Sequence, residues 1–182
     1  VGIGAFNLVR RDFYDRAGGH GRLRMEVLDD MALGLIVKQA GGKSWFALHD
    51  GFVRVRWHEG VRGLIRGVEK NAFPAMRYSV PLTLAVPALL LLVAAAPYAG
   101  LILPGAAPRV FALLAWAGVF LAYHEASRNA RVRAWQGLLM PVGVLLFGYS
   151  LLRSMAITLR QGGVRWRDTF YPLAELKRGR IW

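Results

Sequence analysis

The chain has 182 residues, with 24 Lys and Arg against 11 Asp and Glu, a formal net charge of +13 and 55% hydrophobic residues. It contains no cysteine, which excludes disulfides and Cys-based metal sites and leaves apolar packing to hold any soluble part together. The basic residues are spread over three regions and flank apolar stretches, where a positive charge beside anionic lipid gains on the order of 1 kcal/mol; no nucleic acid partner is expected.

The opening VGIGAFNLVRR is neither a basic-then-apolar leader nor a small-residue cleavage site, and it reads as the start of a piece of a longer protein. Residues 2–9 are apolar and β-compatible and are expected to form a strand. Arg10, Arg11 and Asp12 lead into the helical pattern DFYDRA, which Gly18 and Gly19 end. Asp29 and Asp30 then precede MALGLIVKQAGG. There Met31, Ala32, Leu35 and Ile36 recur at helical spacing, Gly41 and Gly42 close the helix, and the two carboxylates suit its positive end. Residues 43–48 and 52–57 are expected strands on either side of a turn at His49, Asp50 and Gly51.

Between residues 60 and 73, Val61, Leu64, Ile65, Val68 and Ala72 share one helical face, with Arg62, Arg66, Glu69 and Lys70 largely elsewhere. This basic amphipathic helix either lies along a membrane surface or packs on the soluble part as an ordinary surface helix. No Asp, Glu, Lys or Arg occurs from residue 78 to 108, a run long enough to cross a bilayer core of roughly 30 Å. Three hydrophobic segments are expected, at about 80–103, 110–123 and 135–152. Pro81, Pro87, Pro97, Pro104 and Pro141 interrupt them, as membrane helices allow where neighbours satisfy the freed carbonyls. The connection around Gly105 carries only Arg109, whereas residues 125–133 hold Arg128, Arg131 and Arg133; the positive-inside rule puts the latter, and with it the soluble half, in the cytoplasm. The tail carries Arg160, Arg165, Arg167, Lys177, Arg178 and Arg180, yet three full crossings would place it outside. One segment is therefore expected not to cross fully.

Asp29 and Asp30 are the only paired carboxylates of the soluble half. One of such a pair can take a proton as general base while the other, or a nearby Arg, tunes it; equally, both can serve as helix caps. His20, between two glycines, is either an acid or ligand or a surface polar group. His49 and His58 read as loop residues, and His124 with Glu125 point in different helical directions and make a poor metal site. No zincin motif, phosphate loop, dinucleotide fingerprint or nucleophile elbow occurs. Trp45, Trp57, Trp116, Trp135 and Trp166 flank or lie within apolar stretches as interfacial-belt or core residues.

The stretch 4–42, GAFNLVRRDFYDRAGGHGRLRMEVLDDMALGLIVKQAGG, resembles the acceptor-side half of family 2 glycosyltransferases of the GT-A fold. The shared order is a G-A-F strand followed by Arg10 and Arg11, a short helix ending in Gly18 and Gly19, and an acidic pair opening a helix with Leu33 three residues on. The resemblance implies an α/β fold class, the acceptor-side half of a GT-A domain over residues 1–58. An amphipathic interfacial helix (59–78), an α-helical transmembrane region (79–159) and a basic tail (160–182) follow. It implies inverting transfer of a sugar from a nucleotide-sugar donor to a hydroxyl of a hydrophobic, membrane-resident acceptor, with Asp30 as general base and Asp29 supporting it. Family members usually carry Glu at the position of Asp29.

A divalent cation, Mg or Mn, would be held by an upstream half that also supplies a uridine-binding β/α region and a D-x-D motif, so no metal ligands are expected within residues 1–182. The family's Q-x-x-R-W set is missing, since that region reads WHEGVRGLIRGVEKNAF. Lys70 and Asn71 there, with Trp166, Arg167 and Tyr171 in GGVRWRDTFYPLAEL, are closer to carotenoid-, hopanoid- and ceramide-type glucosyltransferases. The substrate or diphosphate contacts so implied are His20, Arg24, Arg66, Lys70, Asn71, Trp166 and Arg167. The implied setting is the inner (plasma) membrane, multi-pass, with the catalytic part cytoplasmic and with nucleotide sugar, lipophilic acceptor and membrane lipids as partners. The rival reading is a non-enzymatic scaffold or transporter-like subunit with a small cytoplasmic cap; transporters place ionisable residues within their spans, and the span interiors before Glu125 hold none.

Overall fold

A computed structural model of the chain describes residues 2–45, 55–129, 133–166 and 168–181. The protein is mostly helical: α1 (Arg11–Ala17), a 3₁₀ helix (Gly19–Leu23), α2 (Asp29–Gln39), α3 (Gly60–Ala75), α4 (Val80–Ile102), α5 (Ala106–Asn129), a second 3₁₀ helix (Ala134–Leu139) and α6 (Met140–Gln161) lead to a hairpin of β1 (Gly163–Trp166) and β2 (Thr169–Pro172), then α7 (Leu173–Arg178). It divides into two compact units, Val1–Ser79 with Arg153–Trp182, and Val80–Leu152.

The apolar unit holds α4, α5 and the start of α6. Three stretches, Val80–Ile102, Ala106–Arg128 and Ala134–Gln161, are long and apolar enough to cross a membrane. Pro87 and Pro97 lie inside α4 and do not end it. The second segment is longer than its apolar run suggests, because α5 carries on through His124 to Asn129, where Arg128 pairs with Glu125 at 3.4 Å. α4 and α5 approach closely at Gly100: a Cβ there would stand 2.8 Å from the Pro108 carbonyl oxygen and 2.9 Å from the Ala112 methyl. Small residues of this kind let apolar helices pack by van der Waals contact. Tyr98 meets Trp116 edge-on at 4.8 Å and donates its hydroxyl proton to the Leu138 carbonyl at 2.7 Å. The expected third segment is split. Residues 134–139 form a 3₁₀ helix that doubles back along α5, with Gly137 against Val119 and Tyr123. α6 begins at Met140 with Pro141 in its first turn, where the fixed φ and missing N–H cost nothing.

The other unit has two cores. Ala17, Leu23, Ala32, Leu33, Ile36 and Val37 bring α1, the first 3₁₀ helix and α2 together, with Ile181 of the tail against them. Phe73, Tyr78, Val164 and Leu176 form the second, with Met25, Val27 and Met155 around them. This second core joins residues before α4 to residues at and beyond the end of α6. In β1–β2, Val164 pairs with Tyr171 and Trp166 with Thr169, so the buried Val164 and half-buried Tyr171 share the face turned to Phe73.

The last turns of α3 are gripped from α6. Ser154, fully buried, accepts the Phe73 N–H at 2.9 Å and donates to the Glu69 carbonyl, the two groups an α-helix ordinarily pairs with each other. Arg153 meets the Glu69 carboxylate at 2.7 Å. Pro74 removes one donor from the same turn. Beyond it Arg77 and Tyr78 adopt left-handed φ values of 57° and 55°, a conformation that costs on the order of 1 kcal/mol for a residue with a Cβ. Arg180 secures the turn by donating to the Arg77 carbonyl at 2.8 Å.

The structure corrects the α/β expectation. Residues 2–9 are not a strand: Gly4 and Ala5 form a turn, closed by Phe6 N–H on the Ile3 carbonyl (3.2 Å) and by the Asn7 side chain on the Ile3 N–H (3.0 Å). A strand needs a neighbour to take up its backbone groups, and among the described residues the only sheet is the two-stranded antiparallel hairpin. Phe6 and Leu8 accordingly stay 64% and 87% exposed. Of the two further expected strands, residues 46–54, with the turn at His49 and Asp50, lie outside the described residues, and the flanks 43–45 and 55–57 are irregular.

Candidate functional site

Asp29 and Asp30 occupy the first turn of α2, whose N-cap Leu28 has no side chain with which to cap it. Asp29 is exposed and Asp30 half-buried. Asp30 Oδ1 accepts the Met31 N–H at 2.8 Å, so part of the capping reading holds, but Oδ2 has no hydrogen-bond partner among the described residues. The 2–9 segment crosses the helix start directly over it. A Cβ at Gly4 would lie 3.1 Å from Oδ2, and one at Gly2 would overlap the Asp30 carbonyl oxygen at 1.7 Å. The two glycines let backbone approach this close.

His20 is exposed and tied to α1: its N–H donates to the Tyr14 hydroxyl at 3.0 Å, and its Nδ1 lies 2.7 Å from the same oxygen. It is thus a locally satisfied group, and it sits apart from the other nominated residues.

Three of those residues do come together. A cleft is lined by Arg24, Met25, Glu26 and Val27 from the segment before α2, Lys70 from α3, Val164, Trp166 and Tyr171 from the hairpin, and Leu176 from α7. The cleft holds about 320 Å³ of empty space, its open mouth included. The Lys70 ammonium stands over the Trp166 ring, 4.6 Å from its centroid. Glu26 Oε2 accepts the Ile181 N–H at 3.2 Å. Nearby Tyr78 is held well above the ordinary phenol range, first by burial and then by the charge of Glu26, with Arg180 opposing.

Asp30 does not line this cleft, nor do Arg66 and Asn71. Arg66 is exposed one turn before Lys70. Asn71 is half-buried, and its Oδ1, shut off from water, has no hydrogen-bond partner among the described residues. Arg167 lies outside the described residues. Sequence reasoning missed Met25, Glu26, Val27, Val164 and Leu176 as lining residues. The only signal for them was their adjacency to Arg24 and Trp166, since what unites them is contact across the length of the chain. Among the described residues no group of three or more His, Asp or Glu is placed to hold a metal ion.

No family model matches the chain, and no curated protein or solved structure matches it either.

Proposed function

We propose that this chain is the acceptor-side, membrane-anchoring part of a family 2 glycosyltransferase acting on a hydrophobic hydroxyl acceptor, with donor binding supplied by a segment outside residues 1–182. The observation that best supports the reading is the Asp30 carboxylate at the opening of α2, with Oδ1 engaged by the Met31 N–H and Oδ2 hydrogen-bonded to no described residue, beside the backbone at Gly2 and Gly4. Asp30 Oδ2 takes the proton of the acceptor hydroxyl as that oxygen bonds to the anomeric carbon. The bond from that carbon to the diphosphate breaks on the opposite face, and the nucleoside diphosphate leaves with the electron pair. Asp29, exposed beside it, is the supporting carboxylate of the pair. Joined to its donor-binding half and supplied with labelled nucleotide sugars, the chain is expected to yield a labelled lipid in membranes, whereas residues 1–182 alone yield none. A panel of common donors giving no labelled lipid would remove the reading.

The same proposal places both ends of the chain in the cytoplasm at the inner membrane. The second core mixes residues that precede α4 with residues that follow the apolar unit, and a chain that leaves and re-enters one compartment crosses the bilayer an even number of times. α6 is then the segment that fails to cross. Its residues from Arg153 belong to the unit outside the apolar one, leaving Met140–Leu152, only about 20 Å at 1.5 Å per residue. The 3₁₀ helix before it runs back beside α5, as a re-entrant dip does. A cysteine placed at Thr169 in intact cells is expected to resist an impermeant thiol reagent added outside; ready labelling there would favour three full crossings.

A further inference from the structure

The cleft gathers Arg24, Lys70 and Trp166, three of the residues that the transferase resemblance implies as substrate or diphosphate contacts, yet its charge and its apolar walls fit a different ligand. We propose that it is a resident site for the phosphodiester of an anionic phospholipid, a ligand and not the sugar acceptor; this holds whether or not the chain transfers sugar.

The charge argument comes first. Neither Arg24 nor Lys70 forms an ion pair with a described residue, and Glu26, the third charged lining residue, is engaged at Oε2 by the Ile181 N–H. Among the described lining residues the balance is one net positive charge, which suits a singly charged phosphodiester better than a diphosphate carrying two or more negative charges. Lys70 is held by Trp166, whose ring quadrupole attracts an ammonium without supplying a counter-charge. The cation is therefore fixed in place with its charge still available. Met25, Val27, Val164 and Leu176 provide the apolar wall that a glycerol and the first methylenes of an acyl chain would follow.

The depth argument is separate. Arg62, Arg66 and Lys70 recur every four residues along α3 and form one row of cations ending at the cleft. Like charges at that spacing weaken a helix, an effect that an anionic lipid surface reverses. On the apolar side of α3, Val61 and Leu64 are 52% and 43% exposed, and Trp166 is 46% exposed. An uncovered apolar helix face and an indole beside basic residues suit the headgroup level of a bilayer.

Short-chain phosphatidylglycerol, short-chain phosphatidylcholine and inorganic pyrophosphate, each titrated by calorimetry into the full chain in neutral detergent, separate the sources of the phosphate. Phosphatidylglycerol is expected to bind one to one and more tightly than the other two. Lys70→Gln should weaken it about tenfold, the scale of one charge-assisted contact, while Arg109→Gln, outside the cleft, leaves it unchanged. Arg24→Gln, at an exposed side chain outside both cores, should also weaken binding and decides the matter if Lys70→Gln melts early. Unchanged affinity in both cleft variants would overturn the proposal. So would pyrophosphate binding more tightly than the lipid, which would hand the cleft to a soluble diphosphate.

Discussion

Asp30→Asn, in the protein joined to its donor-binding half, is expected to lower kcat about a hundredfold or more, with donor KM nearly unchanged. The substitution keeps the size of the side chain and an Oδ1 that still accepts the Met31 N–H. What it removes is the basicity of the second oxygen. Folding should be little affected, because the charge at a helix N-terminus contributes only about 0.3–1 kcal/mol at an accessible site. Asp29→Asn should cost much less, since that side chain is exposed and its carboxylate is hydrogen-bonded to no described residue. Steady-state kinetics on both variants, with thermal melts alongside, separate chemistry from folding. Near-wild-type turnover in Asp30→Asn, or a defect confined to the amount of folded protein, would leave the carboxylate as a helix-start residue only.

The largest structural effect is expected at Phe73. Its side chain is fully buried, meets Tyr78 edge-on at 5.6 Å, and packs with Val164 and Leu176. Phe73→Ala should cost about 3–5 kcal/mol, the transfer free energy of the ring plus the cavity it leaves. That is a large fraction of the roughly 5–15 kcal/mol by which a domain is stable. Leu8→Ala, at a side chain left 87% exposed, should change stability by less than about 0.5 kcal/mol. Denaturant titration of both variants in micelles gives the comparison. A loss under about 1 kcal/mol for Phe73→Ala would mean that the second cluster is not a core.

What the sequence made legible was what its own periodicity encodes. The amphipathic stretch 60–73 became α3, the uncharged run after Tyr78 became α4, and the Asp29–Asp30 opening of α2 followed from carboxylates before an apolar helical repeat. Strand character in residues 2–9 was misjudged because β-compatible residues form a strand only if a partner takes their backbone groups; here Asn7 and the Gly4–Ala5 turn take them instead. The hairpin of β1 and β2 was overlooked: burial along its strands runs in pairs and not in alternation, so no period-two signal marks it. The cleft was half legible: Arg24, Lys70 and Trp166 were each nominated, but that Lys70 lies over Trp166 depends on a tertiary contact that no local pattern carries. Nor could spacing reveal that Asp30 stands outside that cleft.

The way α3 ends also sets a timetable for synthesis. Ser154, which takes the Phe73 N–H, is made 81 residues after it, and Arg180, which donates to the Arg77 carbonyl, is made 103 residues after that carbonyl. At the 5–20 residues per second of a translating ribosome, the second interval lasts roughly 5–20 s. For most of it Phe73 has no Val164 or Leu176 to cover it, and the left-handed turn at Arg77 and Tyr78 lacks its tether until the end. The two long apolar helices α4 and α5 are made in the same interval. A nascent chain stalled before the hairpin would thus display a naked aromatic, the kind of mark by which chaperones and proteases sort unfinished chains from finished ones.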